Sequence, residues 1–102
     1  MKICVVIPIH NEERTIGALV KATIAKGLDV IVVNDGSSDS SGADAIKAGA
    51  HLIHHPAKKG KGASLKEGFA YALSQGYEGV ITMDGDGQHD PADLGQFLQA
   101  AQ

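Results

Sequence analysis

Four short runs of apolar, β-branched residues alternate along the chain with four longer stretches of helical periodicity. The runs at Ile3–Ile9, 30–33 and 80–83 are continuously apolar, which is typical of strands buried on both faces. The run at 50–54 is more polar, so we expect it nearer a sheet edge. Strands separated by helices need crossover connections. The pattern therefore predicts an α/β fold, with a Rossmann-like parallel sheet and helices on both faces.

Apolar spacing and capping signals predict the helices. The second helix, rich in small residues, is expected over about 40–48, and the fourth begins at Asp90 and Pro91, an acidic N-cap followed by proline at the first helical position. The residues that carry the other helical faces are Ile16, Leu19, Val20 and Ile24 in the first helix, Leu65, Phe69, Ala72 and Leu73 in the third, and Leu94, Phe97 and Leu98 in the fourth.

Length and charge narrow the class of protein. The 102 residues correspond to one domain, and 43% hydrophobic residues suffice for a packed core. Nine Lys+Arg against 12 Asp+Glu give a net charge of -3, which argues against a nucleic acid partner held by bulk charge. The single cysteine, Cys4, is expected in the core of the first strand. With no bilayer-spanning run or signal peptide recognised, a soluble cytoplasmic protein is expected.

Polar and glycine-rich segments follow every predicted strand, at residues 10–13, 34–39, 56–62 and 84–91. The carboxyl ends of parallel strands lie at one edge of the sheet, and ligands bind there in such folds. We therefore expect these four segments to form one site.

Two carboxylates, Asp84 and Asp86, flank Gly85 in the last of these segments. Such a pair can bind one hard cation, and Mg²⁺ or Mn²⁺ held this way keeps positions open for the oxygens of a diphosphate. A solvated turn with an acidic N-cap fits these residues alone equally well.

The other segments each allow two interpretations. Asp35 can accept a hydrogen bond from a base N–H or a ribose hydroxyl, and its segment can form a turn with an N-cap at Ser38 or Asp39; the two interpretations are compatible. The basic segment at 58–62 is not a Walker loop, because Lys61 is followed by glycine. Taken alone it is best interpreted as a solvated charge run, although it can attract an anion at a helix N-terminus.

The remaining acids and histidines are less informative. The acids Glu12 and Glu13 either interact with the dipole of the first helix or face a ligand. The histidines His51, His54 and His55 lack a second cluster at metal-binding spacing, so we interpret them as strand or surface residues.

Together, the four segments resemble the N-terminal half of a family-2 glycosyltransferase, most closely the polyprenyl-phosphate (dolichyl-phosphate) mannose or glucose synthase branch. The matching segments are residues 5–13, 32–39, 59–68 and 83–91. Each is loose alone, but four in the right order at successive strand ends are specific. The resemblance covers nearly the whole chain.

The resemblance implies a nucleotide-diphospho-sugar transferase (GT-A) fold and a donor site. It implies that a divalent metal, Mg²⁺ or Mn²⁺, is brought to the diphosphate by an Asp-x-Asp pair, with Gln88 beside it and Lys61 near the ligand. The implied substrate-binding residues are Pro8, Asn11, Glu12, Asp35, Lys61, Asp84 and Asp86, and the implied metal set is Asp84, Asp86 and Gln88.

The implied reaction is inverting transfer of a hexose from a UDP- or GDP-sugar, with a polyprenyl phosphate as acceptor. Residues 1–102 would form the nucleotide-sugar-binding part of a glycosyltransferase domain, and the acceptor-binding part would be absent from them. No catalytic residue is assigned, and the isolated chain is expected to be inactive. The full-length protein is expected at the inner face of the membrane as a peripheral protein. An open sheet edge, where later strands would join, predicts self-association.

Three other classes remain open on the residues alone. The first is a non-catalytic module that binds a nucleotide sugar. The second is a phosphoacceptor domain with Asp84 as the acceptor, although it would need a final strand ending in lysine. The third is a small α/β domain without a site.

Overall fold

The computed structural model describes residues 2–85 and the strand at 96–99. Strands and helices alternate through the first seven elements, as the sequence predicts, and a fifth strand follows. The elements are β1 (Ile3–Ile9), α1 (Ile16–Ala25), β2 (Asp29–Asp35), α2 (Ser41–Ala48), β3 (His51–His55), α3 (Lys61–Ser74), β4 (Gly79–Thr82) and β5 (Gln96–Gln99).

The strands form a single sheet in the order β3-β2-β1-β4-β5. The pairs β1–β2, β1–β4 and β2–β3 are parallel, which confirms the predicted parallel arrangement of the first four strands. The more polar strand β3 lies at an edge, also as predicted. The chain moves from β1 to β2 and β3 on one side, and β4 lies on the other side of β1. The sheet order therefore reverses between β1 and β4, where ligands bind in open α/β sheets.

Helices cover both faces of the sheet. Successive side chains of β1 point to opposite faces, so β1 contributes to a core on each side. Val5 and Ile7 pack in a core with Ile16 and Leu19 of α1 and with residues of α2. Cys4 and Val6 belong to a second core, which includes Ala72 of α3 and is packed by Leu65 and Phe69. The buried Cys4 confirms its interpretation as a core residue.

In the first three helices two predicted details differ from the structure, the N-cap of α2 and the position of one residue on α3. Gly27 has a φ of +84°, in the left-handed region, just after α1. The N-cap of α2 is Ser40, so the prediction of Ser38 or Asp39 is wrong, although the Asp39 carboxylate accepts a 2.9 Å hydrogen bond from the Ser41 N–H. Leu73, predicted on the apolar face of α3, is 50% exposed.

The predicted fourth helix is wrong at its C-terminal end. Phe97 and Leu98, expected on a helical face, belong to β5, which pairs antiparallel with β4 and places them opposite Ile81 and Val80. The sheet is thus mixed at this edge. A three-residue apolar pattern does not distinguish helix from strand, and the unpaired backbone groups of β4 favour a strand partner. Asp90, Pro91 and Leu94 lie outside the described residues.

None of the helices within the described ranges is both long enough and apolar enough to cross a membrane.

Candidate nucleotide-sugar site

A cleft of about 320 Å³ opens where the carboxyl ends of β1, β2 and β4 meet. Its walls come from the loops after β1, β3 and β4 and from the first turn of α3. The lining residues are Pro8, Ile9, His10, Glu12, Asp35, Lys58, Lys61, Ser64, Asp84 and Gly85.

The loop after β1 is fixed by hydrogen bonds to the loop after β2. Asn11 adopts a φ of +55°, its N–H donates to Ser37 Oγ at 2.9 Å, and its Oδ1 accepts from the Ser38 N–H at 2.8 Å. The Glu12 N–H donates to Ser41 Oγ at 2.7 Å. The backbone that forms one wall of the cleft is therefore held in place before any ligand binds.

The two glutamates after β1 have different positions. Glu12 lines the cleft, and its carbonyl accepts hydrogen bonds from Thr15 and Ile16 at the start of α1. The Glu13 carboxylate instead accepts from Ser40 Oγ at 2.8 Å, at the N-terminus of α2. A carboxylate there interacts favourably with the helix dipole, but the helix is α2 rather than the expected α1.

Asp35 lies at the floor of the cleft and is 3% exposed. Its carboxylate accepts from the Lys59 N–H at 2.7 Å, from the Gly60 N–H at 2.9 Å and from His55 Nδ1 at 3.1 Å. Burial acts to raise the pKa of Asp35, but these hydrogen bonds outweigh it and hold the pKa below its ordinary value. Asp35 is thus a buried, ionised acceptor.

Lys61 and Asp84 face each other across the cleft. Lys61 Nζ lies 2.7 Å from Asp84 Oδ1, and Lys61 is the first residue of α3. Ser64, one turn further along α3, has a buried hydroxyl that makes no hydrogen bond within the described structure. A cation, a helix N-terminus and an unsatisfied hydroxyl on one wall are suited to binding an anion.

The turn after β4 packs closely on the end of β1. A Cβ at Gly85 would lie 2.5 Å from Ile9 Cγ2 and 3.4 Å from Glu12 Cγ, so glycine is required at this approach. The Thr15 hydroxyl donates to the Gly85 carbonyl and fixes the turn. Asp84 is thereby held beside the loop after β1.

Asp84 alone of the expected metal ligands lies within the described residues, since Asp86 and Gln88 fall outside them. Within that described part, no three His, Cys, Asp or Glu side chains cluster closely enough to hold a metal. A single carboxylate at the cleft still fits Mg²⁺ or Mn²⁺, because these ions are commonly held by one or two carboxylates together with substrate phosphates.

The structure brings together most of the expected substrate-binding residues. Those that line the cleft are Pro8, Glu12, Asp35, Lys61 and Asp84. Asn11 does not line the cleft, but its hydrogen bonds to the loop after β2 hold the lining residues of the loop after β1 in place.

Two histidines near the site were not anticipated as site residues. His10 lines the cleft and its Nδ1 donates to the Asp35 carbonyl at 2.7 Å. His55 is buried against the Asp35 carboxylate, so its interpretation as a strand residue is confirmed while a surface position is wrong. The parallel pairing of β2 with β3 places Asp35 opposite His55, which no local sequence pattern reveals.

The fold and cleft define an α/β protein with a cleft suited to anion binding at the switch point of its sheet. Residues 4–102 match the profile of Glycosyl transferase family 2, and the chain belongs to this family. Its fold resembles that of GT-A glycosyltransferases, as expected from the sequence.

Two curated relatives are similar to this chain over most of its length. The polyprenol monophosphomannose synthase of Mycolicibacterium smegmatis is 34% identical, over 94% of this chain and 39% of the relative. The undecaprenyl-phosphate mannosyltransferase of Micrococcus luteus is 36% identical, over 98% of this chain and 44% of the relative. The chain thus spans about two fifths of the length of these relatives.

Solved structures agree with the assignment. The glucosyl-3-phosphoglycerate synthase of Mycobacterium tuberculosis, in complex with Mn²⁺, UDP-glucose and phosphoglyceric acid, superposes with a TM-score of 0.68 at 29% identity. The match covers 82% of this chain and 33% of that one. The same enzyme has also been solved with Mg²⁺ and UDP, again with a TM-score of 0.68.

Proposed function

We propose that residues 1–102 form the nucleotide-sugar-binding part of a metal-dependent, inverting glycosyltransferase that transfers a hexose from a UDP- or GDP-sugar. The observation that carries this proposal is the cleft, where the buried acceptor Asp35 and the opposed Lys61 and Asp84 lie around one cavity. Membership of the family and the metal-bound and UDP-bound structural neighbours support it.

Each part of the cleft has a distinct proposed role. Asp35 accepts a hydrogen bond from the nucleoside, whose other contacts come from Pro8 near the end of β1 and from Glu12, in the loop that Asn11 holds in place. Lys61 leaves Asp84 and interacts with the diphosphate, because its two negative charges, one on each phosphate, attract the ammonium more strongly than one carboxylate does.

Asp84, with Asp86 and Gln88, would hold the divalent metal as an Asp-x-Asp motif. When bound, Mg²⁺ or Mn²⁺ supplies charge neutralisation for the departing nucleoside diphosphate. The residues of this chain orient the donor and hold its diphosphate next to the Asp84 carboxylate.

Titration calorimetry with UDP and GDP, each with and without Mn²⁺, tests donor binding. We expect one of the two nucleotides to bind, and its affinity to rise when Mn²⁺ is present. Absence of binding by both nucleotides in Mn²⁺ would contradict the proposal.

Matched variants assign the binding to the cleft. We expect Asp84→Asn to abolish the gain from Mn²⁺, whereas Asp44→Asn on α2, outside the cleft, leaves it unchanged. Loss of a charge-assisted contact costs about 1.5–3 kcal/mol, so Lys61→Gln should weaken nucleotide binding by roughly tenfold to a hundredfold. Lys66→Gln, on an exposed position of the same helix, is the control.

We also propose a polyprenyl phosphate acceptor, as the names of the two curated relatives suggest. An acceptor of this kind would place the full enzyme in the cytoplasm at the inner face of the membrane. Transfer of labelled hexose from the donor to a short-chain polyprenyl phosphate, assayed with a protein that includes an acceptor-binding part, tests this step and separates a transferase from a non-catalytic binding module.

We also propose self-association through the open sheet edge. That edge is formed by β5, which pairs with β4 at the side where further strands were expected. Among the described residues β5 is the outermost strand next to β4, so its outer side offers the backbone groups for such pairing. Sedimentation velocity over a range of concentrations should show a dimer, and a monomer at the highest concentration would count against it.

A further inference from the structure

His55 is the last residue of β3 and is 2% exposed, although it lies on an edge strand. Both of its ring nitrogens face carboxylates. Nδ1 lies 3.1 Å from Asp35 Oδ1 on β2, and Nε2 lies 2.9 Å from Glu67 Oε2 on α3. The Nε2–Oε2 contact is short, but its geometry departs from that of a well-aligned hydrogen bond.

This arrangement determines which form of the ring the site favours. An ionised carboxylate is an acceptor only, and a neutral imidazole has a single N–H donor. A neutral His55 would therefore leave one ring nitrogen with its lone pair directed at a carboxylate oxygen. Only the imidazolium presents an N–H to both carboxylates, so the geometry favours the protonated ring.

The carboxylate that His55 contacts also holds the loop between β3 and α3. Asp35 accepts the N–H groups of Lys59 and Gly60, and Gly60 is the N-cap of α3. The next residue, Lys61, is the cation that faces Asp84 in the cleft. The position of the Asp35 carboxylate thus affects both the floor of the cleft and its basic wall.

We propose that protonated His55 is a positioning residue, which links Asp35 to Glu67 and thereby orders the Lys59–Lys61 loop for nucleotide-sugar binding. The effect on the loop follows from the contacts alone, while the effect on affinity rests on the proposed function. When His55 loses its proton, one of its two contacts becomes repulsive, the loop loosens, and donor affinity falls.

The charged groups around the ring support this direction. The contacts with Glu67 and Asp35 raise the pKa of His55, while burial and the Lys59 ammonium oppose the rise. Lys59 Nζ itself lies 3.6 Å from Glu67 Oε1. A group whose pKa is raised on folding contributes fully below its ordinary value of 6.5 and loses its contribution as the pH rises through the folded value.

Two measurements on the chain test the proposal. Hydrogen exchange read by NMR gives protection factors, corrected for intrinsic rates, for the Lys59 and Gly60 amides between pH 6 and 9, and the His55 ring is titrated in the same samples. We expect both protection factors to fall by on the order of tenfold with the midpoint of His55. The dissociation constant of the nucleotide in Mn²⁺ should rise with the same midpoint.

Variants separate the positioning role from simple stabilisation. His55→Gln should show the lowered, pH-independent protection at every pH, whereas His54→Gln, at the exposed neighbour on the same strand, should behave as wild type. Glu67→Gln alters an exposed residue and should fold. Because its amide can donate to a neutral ring, it should lower the His55 midpoint and remove the alkaline loss of protection.

The outcomes distinguish this inference from the proposed function. Two results would overturn the positioning role. One is a set of Lys59 and Gly60 protection factors that do not change with the His55 titration, and the other is an unchanged alkaline loss of protection in Glu67→Gln. Protection that follows His55 in a chain that binds neither UDP nor GDP would support the role in the loop and overturn the proposed function.

Discussion

Asn11 shows how one residue can fix a loop through its backbone and its side chain together. Its φ of +55° lies in the left-handed region, where asparagine is tolerated better than most residues. In that conformation the Oδ1 atom reaches the Ser38 N–H, and the backbone N–H reaches Ser37 Oγ. Asn11 therefore determines how the loop after β1 meets the loop after β2.

Three substitutions at Asn11 separate these contributions. Asn11→Gly keeps the backbone conformation and loses the side-chain acceptor, so we expect a loss of about 1 kcal/mol in the free energy of unfolding. Asn11→Ala also introduces the left-handed strain, which adds about 1–2 kcal/mol. Asn11→Asp retains an oxygen acceptor and serves as the control. Urea unfolding measures all three, and a glycine variant less stable than the alanine variant would contradict this order.

Cys4 gives a prediction about reactivity. The side chain is fully buried. This burial, and to a smaller extent the nearby charge of Asp29, raises the pKa of its thiol to about 11. The thiolate is the reactive form, so native protein at pH 8 should resist Ellman's reagent. One equivalent should react on unfolding in guanidinium chloride. Reaction of the native protein at the rate of a free thiol would show that the first strand is accessible.

At the level of elements, the packing of α3 on the sheet depends on Gly68. A Cβ at this position would collide with Val6 Cγ1 and lie 3.3 Å from Val33 Cγ2, at the centre of the face that α3 covers. We expect Gly68→Ala to destabilise the protein by about 1–3 kcal/mol through overpacking, partly offset by the higher helix propensity of alanine.

The matched control is Gly62→Ala in the first turn of the same helix. Nothing lies within 4 Å of a Cβ built at Gly62. Only the propensity term applies there, so stability should stay unchanged or rise by up to about 1 kcal/mol. Thermal or urea unfolding of both variants makes the comparison, and equal effects at the two glycines would rule out the packing argument.

The sequence predicts the elements well where a long pattern supports them. The continuous apolar runs of β1 and β2 and the spacing of Ile16, Leu19 and Val20 each favour one structure, and the structure confirms them. The prediction fails at residues 96–99, where a short apolar pattern fits either a helix or a strand and the choice depends on a partner distant in sequence, β4. The predicted N-cap of α2 is also displaced, to Ser40, for a similar reason. The Ser40 hydroxyl donates to Glu13, which belongs to a loop distant in sequence.

For the molecule as a whole, the location of the cleft could be predicted but not its internal contacts. The rule that ligands bind at the carboxyl ends of parallel strands places Asp35 and Asp84 at one edge. Sequence reasoning does not provide the strand register, and the register is what puts His55 opposite Asp35. Nor does it show that Asp35 holds the loop before α3, because backbone donors have no residue-specific signal.

The same contacts determine how the stability of the whole molecule depends on pH. The pKa values of three carboxyls are lowered. At Asp35 and Asp39 the hydrogen bonds outweigh the opposing effect of burial, and at Glu67 the contact with His55 is the largest cause. A carboxyl of lowered pKa stabilises the fold above its ordinary pKa, and that contribution is lost as the pH falls through the folded value. The contribution of His55, whose pKa is raised, is instead lost as the pH rises above 6.5.

We therefore expect the free energy of unfolding in urea to be greatest between about pH 5 and 6.5 and to decline on both sides. His55→Gln should lower the maximum and flatten the alkaline decline. Asp39→Asn should reduce only the acid decline, because its carboxylate binds the Ser41 and Glu13 N–H groups far from His55 in sequence. A curve that keeps its alkaline decline in His55→Gln would assign that decline to another group.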